Sequence, residues 1–506
     1  MLRRVSSLPF FVLLLGIGAV AMLVPALHAY GRSDFGTARI FLYATILGLF
    51  LSILIGLATT GYAPRSVPRS QLGTLVAAYA VLPLLFAIPF YEAARPVSFL
   101  NAWFEMVSSF TTTGATIFDN PRRINPSLHL WRATVGWLGG LFIWITAVAV
   151  LAPMNLGGFE VRSPNAAGDL SASQSQISRL SDPAERLARY SLRLVPIYAG
   201  LTLALWVGLM LAGEVPLVAI CHAMSVLATS GISPVGGVEN GASGLAGEML
   251  IFAFLLFALT RLTFSKGLLT DQEDKLVRDP ELQLALVLIG AVALLLFLRH
   301  FVSSADRFTV SGTFAALGAL WGALFTALSF LTTTGFESRQ WLGATDWAGL
   351  RSPGLVLVGL AIVGGGVATT AGGVKLLRVY TLYKHGMREF EKLVHPNSVG
   401  TDGSRSRRIR RRGAYISWIF FMLFALSIVV VMGALSLTGM QFEAAMVLAV
   451  SAISTTGPLA QVAAEIPVSY AGIPDSAKTI LAATMVLGRL ETLALIALLN
   501  PDVWRS

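Results

Sequence analysis

Long apolar blocks punctuate this chain, and their lengths predict its first elements. A bilayer core about 30 Å thick takes roughly 20 apolar residues in helix. Ten stretches approach that length: residues 9–27, 40–57, 74–89, 131–151, 192–212, 249–264, 281–298, 353–367, 415–437 and 480–499. Each predicts a membrane span. The first follows Arg3 and Arg4 as a signal peptide would, but its apolar run is too long and ends without a small-residue cleavage site.

Between paired spans lie shorter apolar segments, 98–110, 216–229, 312–331 and 441–454, which suit re-entrant helices that do not cross. Their ends repeat. Ser108 leads to Thr112-Thr113-Gly114, Ser225 to Thr229-Ser230-Gly231, Ser329 to Thr333-Thr334-Gly335, and Ser451 to Thr455-Thr456-Gly457. One such S-x-x-x-T-[ST]-G is any capped turn. Four, about 100–120 residues apart and each between two spans, are an internal repeat. The unit is span, re-entrant helix, T-x-G segment, span. The fold expected is an all-α integral membrane protein with four pseudo-symmetric span–pore-loop–span repeats around one pore. Residues 1–66 hold two extra N-terminal transmembrane helices, and 67–160, 161–270, 271–400 and 401–506 hold the repeats.

Composition agrees. Of 506 residues 55% are hydrophobic and 13% charged, with mean hydropathy +0.72, where soluble proteins carry roughly 25% charge. The single cysteine, Cys221, excludes a disulfide framework and a thiolate metal site, and histidines 28, 129, 222, 300, 385 and 395 show no ligand spacing. Glu105, Cys221 and His222, on re-entrant segments, read as packing or loop contacts. The net charge of +10 would in a soluble chain suggest nucleic acid. With the N-terminus in the cytoplasm, however, Arg3, Arg4, Arg65, Arg69, Arg162, Arg179, Arg186, Arg189, Lys266, Lys275, Arg278 and the basic cluster of 384–412 all fall on the inner side. That is the positive-inside pattern, and it leaves no nucleic-acid partner to propose. The cluster reads as a topogenic loop that also touches anionic lipid.

Non-helical backbone at membrane depth is tolerated where it lines a watery cavity or is buried in protein. Four T-x-G segments around one axis supply such a place. Their carbonyls and Thr hydroxyls would replace the hydration shell of a monovalent cation, and glycine at positive φ lets successive carbonyls turn toward the axis. No carboxylate ring accompanies them, which argues against a divalent ion. Carbonyl selection points to K⁺, with Thr112, Thr113, Gly114, Thr229, Ser230, Gly231, Thr333, Thr334, Gly335, Thr455, Thr456 and Gly457 as the filter.

Two further features belong to the same pathway. Five glycines, Gly364, Gly365, Gly366, Gly372 and Gly373, fall within ten residues of an apolar stretch. Each costs a helix about 1 kcal/mol against Ala, so the stretch predicts an intramembrane loop gating the pore, with Lys375 and Arg378 at its cytoplasmic end. Tight glycine-mediated helix packing is the competing reading. A phosphate loop is excluded by spacing and by the lack of a preceding strand. Arg489 lies deep in the last span, where charge faces a cavity or a partner. It reads as a positive charge in the pore, or else as half of an ion pair with another span. Glu491, two residues on, does not face it on a helix.

These residues resemble the TrkH-type subunits of bacterial K⁺ uptake systems, in the TrkH/KtrB/HKT superfamily, over nearly the whole chain. The resemblance rests on the run from Ser109 to Thr116, on Trp137-Leu-Gly-Gly140, on Gly364 through Lys375 to Arg378, on the run from Arg388 to Asn397, and on Gly488-Arg489-Leu-Glu491. The two extra N-terminal spans are those of the TrkH branch. The resemblance implies a K⁺-translocating subunit of the inner membrane and the same gating role for the glycine-rich loop. It also implies a homodimer with one pore per subunit and a cytosolic TrkA-type ring that binds nucleotides. This chain itself carries no nucleotide motif and calls for no cofactor, only K⁺ as the transported ion. The filter glycines are followed by Ala115, Ile232, Phe336 and Pro458, so four unlike segments form the ring. A secondary transporter for another cation or solute would use broken helices without needing the same T-x-G four times. A membrane enzyme would need paired carboxylates or a nucleophile and base, and none is visible.

Overall fold

The computed structural model describes residues 10–59, 67–152, 158, 183–260, 279–303, 311–349, 354–395 and 411–491. Among them every regular element is helical. Three helices lead: α1 (Phe10–Ala21), α2 (Leu23–Gly31) and α3 (Phe35–Ala58). The first two run on as one apolar rod of 22 residues, so the first expected span is present with a break at Met22. Asp34 starts α3 by accepting from the Thr37 amide.

A unit of three helices then recurs four times. The first has α4 (Val67–Ala93), α5 (Phe99–Phe110) and α6 (Pro126–Thr146), the last extended by a π-helical turn at Ala147–Leu151. The second has α7 (Pro183–Leu211), α8 (Pro216–Ala228) and α9 (Gly244–Leu255). The third has α10 (Pro280–Ser303), α11 (Ser311–Leu331), a short α12 (Trp341–Ala348) and α13 (Gly354–Val363). From it the chain leaves along α14 (Leu376–Val394). The fourth has α15 (Arg411–Leu437), α16 (Phe442–Ile453), a single turn α17 (Leu459–Val462) and α18 (Asp475–Leu490).

Among the described residues seven helices are long and apolar enough to cross a membrane, which makes this a multi-span membrane protein. Three of the ten expected spans are shorter as described. That of 353–367 stops at Val363, where the glycines begin; those of 249–264 and 480–499 end as helix at Ala258 and Leu490, and their last residues lie outside the described ones. Ile46, Phe50, Leu294 and Val430 point outward from the long helices, as lipid-facing side chains do. Most of the expected inner-side cations, among them Arg3, Arg4, Arg65, Arg162, Arg179, Lys266, Lys275, Arg278 and 396–410, lie outside the described residues.

Packing links the units in chain order. The last helix of each lies on the short helix of the next: α6 on α8, α9 on α11, α13 on α16, and α18 back on α5. The short helices thereby sit inside, and α1–α3 pack onto the outside of the first unit. Aromatic rings run from that seam into the first unit, with Trp131 edge-on to Phe41 of α3 and to Phe86, and Tyr79 against Phe110 and Phe142.

Candidate functional site

All four short helices end in the same turn. Thr112, Thr229, Thr333 and Thr455 take left-handed backbone, with φ of 55°, 51°, 57° and 55°. In each repeat the amide of that Thr donates to a carbonyl three residues back, and the next amide donates to the carbonyl of the motif serine. Those second bonds are Thr113 to Ser108, Ser230 to Ser225, Thr334 to Ser329 and Thr456 to Ser451, at 2.8–2.9 Å. This is the six-to-one closure that helices make around a C-terminal glycine. Here a β-branched residue stands in glycine's place, at a cost of about 1–2 kcal/mol. The same strained conformation recurs at all four equivalent positions. Thr112 Oγ1 and Thr455 Oγ1 are buried and make no hydrogen bond among the described residues.

The four segments touch in cyclic order. A Cβ on Gly114 would lie 1.9 Å from the Ser230 carbonyl, and one on Gly231 would lie 2.3 Å from that of Thr334. One on Gly335 would meet Pro458 at 2.9 Å, and one on Gly457 the Ala115 amide at 2.2 Å. Gly114, Gly231 and Gly335 have positive φ; Gly457 does not, and its amide donates to the Thr113 carbonyl at 2.6 Å. The glycine conformation read from the motif therefore holds in three segments, while in the fourth Pro458 diverts the chain.

Outside the ring, carboxylates pin the returning chain. Glu105 pairs with Arg132 at 2.9 Å and accepts from the Thr116 hydroxyl and the Ile117 amide. Glu248 accepts from Ser338 and the Arg339 amide, and His222 meets Ser233. Both Glu105 and His222 are thus loop contacts, as their positions led one to expect. Two half-buried carboxyls on these outer loops, Glu239 and Glu337, are pushed up to about 7 by burial; for Glu239 the nearby Glu337 and Glu248 add to it.

On the other side of the ring, α13 stops and the glycine-rich stretch crosses as irregular backbone. It is tied to every repeat. Val148 of the first packs on Val367 and Ala368. The Thr370 hydroxyl donates to the Leu227 carbonyl of the second at 3.0 Å, and the Gly372 amide to Thr333 Oγ1 of the third at 2.7 Å. From the fourth, Arg489 Nη1 donates to the Thr370 carbonyl at 2.7 Å. A Cβ on Gly372 would sit 2.2 Å from the Ser454 carbonyl and 2.3 Å from Thr455 Oγ1; only glycine lets the loop press so close to the ring. Lys375, itself at φ 87°, closes the loop by donating to the Ala371 carbonyl.

A family model described as TrkH, cation transport protein, matches residues 62–236 and 253–502. The chain belongs to the TrkH family. It is 30% identical over 503 residues to the Trk system potassium uptake protein TrkH of Vibrio parahaemolyticus, covering 98% of both chains. To the protein of that name from Escherichia coli K12 it is 28% identical over 491 residues, covering 96% of both. The crystal structure of the potassium transporter TrkH from Vibrio parahaemolyticus superposes with a TM-score of 0.83 at 27% identity, covering all of both chains. TrkH is a family of transporters, not of enzymes.

Within this TrkH fold the residues singled out from sequence fall in two touching layers. Thr112 through Gly114 and their three counterparts make the upper one, and Gly364 through Gly373 the lower. Lys375 is buried beneath the loop; Arg378 is buried on the first turn of α14. Glu491 does not pair with Arg489 but with Arg378, at 2.8 Å, and the Arg378 guanidinium lies 3.7 Å over the Phe420 ring. Arg489 Nε and Nη2 make no hydrogen bond among the described residues, and Tyr79, Tyr198, Glu491 and Lys375 are among the ionisable groups around it. Thr370 and Glu281, whose carboxylate accepts from the Val367 amide, went unremarked in the sequence. Glu281 carried a signal, a carboxylate at the start of an apolar span; Thr370 carried none.

Proposed function

We propose that this chain is the K⁺-translocating pore subunit of a bacterial Trk-type uptake system, inserted in the inner membrane with its N-terminus in the cytoplasm. One observation carries the reading: four short helices end, C-terminus inward, at one place. Each helix C-terminus carries about half a negative charge, so four of them favour a cation. Two buried Thr hydroxyls there have no partner among the described residues, as ligands of a monovalent ion would not. The T-x-G segments are the selectivity filter. The loop of Gly364, Gly365, Gly366, Gly372 and Gly373, with Lys375 and Arg489, is the gate, and what supports this is its position against the filter's inner end. The repeats divide at 67–160, 161–270, 271–400 and 401–506. The chain works as a homodimer with a cytosolic TrkA-type ring. The support for a docking surface is α14, which runs directly from the gate and exposes Tyr383, Met387, Phe390 and Val394 beside Lys384 and Arg388.

Rubidium tracer uptake into proteoliposomes tests the function. Uptake that K⁺ competes away supports it. Tracer uptake no greater than in protein-free vesicles, with or without a cytosolic partner, would remove it.

A further inference from the structure

The four left-handed threonines are alike in backbone but not in what their hydroxyls do. Those of Thr112 and Thr455 have no hydrogen-bond partner among the described residues, and that of Thr229 donates to the Ala228 carbonyl beside it. Thr333 Oγ1 alone receives a bond from the loop below, the Gly372 amide at 2.7 Å. All four side chains are buried. A hydroxyl oxygen has two lone pairs, and one of Thr333's is taken by the loop. The same glycine lies against Thr455, where a Cβ would reach within 2.3 Å of Oγ1. The loop therefore occupies one threonine of the ring and covers another.

We propose that Thr333 is a two-state residue: its hydroxyl latches the glycine-rich loop while the pore is shut, and is released to the cation when the loop withdraws. Closing the gate and dismantling the innermost cation site are then one event. The hydrogen bond that holds the loop is drawn from the set of oxygens that hold the ion. The proposal rests on the filter reading above and adds to it a specific coupling between filter and gate. Thr333 acts on the gate as a positioning residue and on the ion as one ligand among several. Ion entering the inner site also competes with the Gly372 amide for the same oxygen, so occupancy of the filter favours the released loop.

The test is Thr333→Val, which keeps the β-branch and removes the hydroxyl. In proteoliposomes holding this chain alone, the tracer rate per monodisperse protein should rise about two- to tenfold, the worth of one net hydrogen bond. The K⁺ concentration that half-inhibits rubidium uptake should rise with it. Thr333→Ser should bring both back toward the wild type. Thr112→Val and Thr455→Val, which lose an ion ligand and no latch, should raise the half-inhibiting concentration and lower the rate. If Thr333→Val behaves as those two do, its hydroxyl only lines the filter and the coupling is overturned while the filter reading stands. If none of the three shifts K⁺ competition, the filter reading falls and the coupling with it. Should the valine variant not yield monodisperse protein, Thr333→Ala removes the same hydroxyl without a β-branch in left-handed backbone and is judged by the same outcomes.

Discussion

Replacing Arg489 by alanine removes the bond that the last helix makes to the glycine-rich loop. The bond runs from Nη1 to the Thr370 carbonyl at 2.7 Å, with both groups buried. A hydrogen bond from a charged donor is worth about 1.5–3 kcal/mol. At 1.36 kcal/mol for each factor of ten, its loss should raise the population of released loop by roughly ten- to a hundredfold. The loss of a fixed positive charge from the proposed cation path acts in the same direction. The fold should tolerate the change, because Glu491 keeps Arg378 as its partner and no carboxylate is orphaned. Arg489→Lys separates the two contributions: it keeps the charge and loses the planar fork, so its flux should fall between wild type and alanine. The assay is rubidium tracer flux without a cytosolic partner, normalised to monodisperse protein. A well-folded Arg489→Ala with flux no higher than wild type would leave Arg489 a structural residue with no part in gating.

Gly231→Ala places a methyl 2.3 Å from the Thr334 carbonyl at φ 64°; Na⁺ should then compete more effectively for rubidium uptake, and wild-type competition would count against the filter assignment. Thr112→Gly relieves about 1–2 kcal/mol of left-handed strain but deletes a hydroxyl of the proposed filter, so the thermal midpoint should hold or rise while K⁺ half-inhibition weakens. Glu337, raised from 4.5 to about 7 by burial, binds its proton more tightly when folded. Its burial should therefore cost stability increasingly as pH rises from about 4.5 to 7. Above pH 7 its charge should help gather cations, so half-saturating K⁺ should fall as external pH is raised, and Glu337→Gln should flatten that profile.

The spans were legible because bilayer thickness sets the length of an apolar run, and the repeat because four copies of one turn are hard to produce by chance. The glycine-rich stretch was legible as a break for a local reason, since five glycines do not hold a helix. What joins the layers was not legible. Gly372 and Thr333 are 39 residues apart, Arg489 and Thr370 are 119, and Arg378 and Glu491 are 113. Nothing in local pattern or propensity encodes such pairs. The left-handed threonines were hidden for a different reason. Local propensity assigns positive φ to glycine and away from β-branched residues, so it marked the third motif position and passed over the first. Only the spacing of the serine, five residues before its amide partner, carried the hint of a closed helix end.

The four segments share one turn, yet the ring they form is uneven, and the unevenness has a physical consequence. In the fourth, the Ser451 hydroxyl donates to the Thr456 carbonyl and the Tyr470 hydroxyl to that of Gly457. In the first, the Thr113 carbonyl accepts from the Gly457 amide. Carbonyls so engaged are held firmly but offer an ion less of their electron density than those of the second and third segments, which accept no hydrogen bond among the described residues. A symmetric ring can match one ion radius closely on all sides. A ring with two tethered and two freer segments can close on ions of somewhat different size by moving only the freer pair. Tyr470 is the handle on this argument, since it is buried and its hydroxyl meets both Ser451 and Gly457. Tyr470→Phe keeps the ring of the side chain and drops the tether. It should leave the fold intact, loosen the fourth segment and bring the half-inhibiting concentrations of K⁺ and Na⁺ closer together. An unchanged ratio in a monodisperse variant would mean that the tether does not set selectivity.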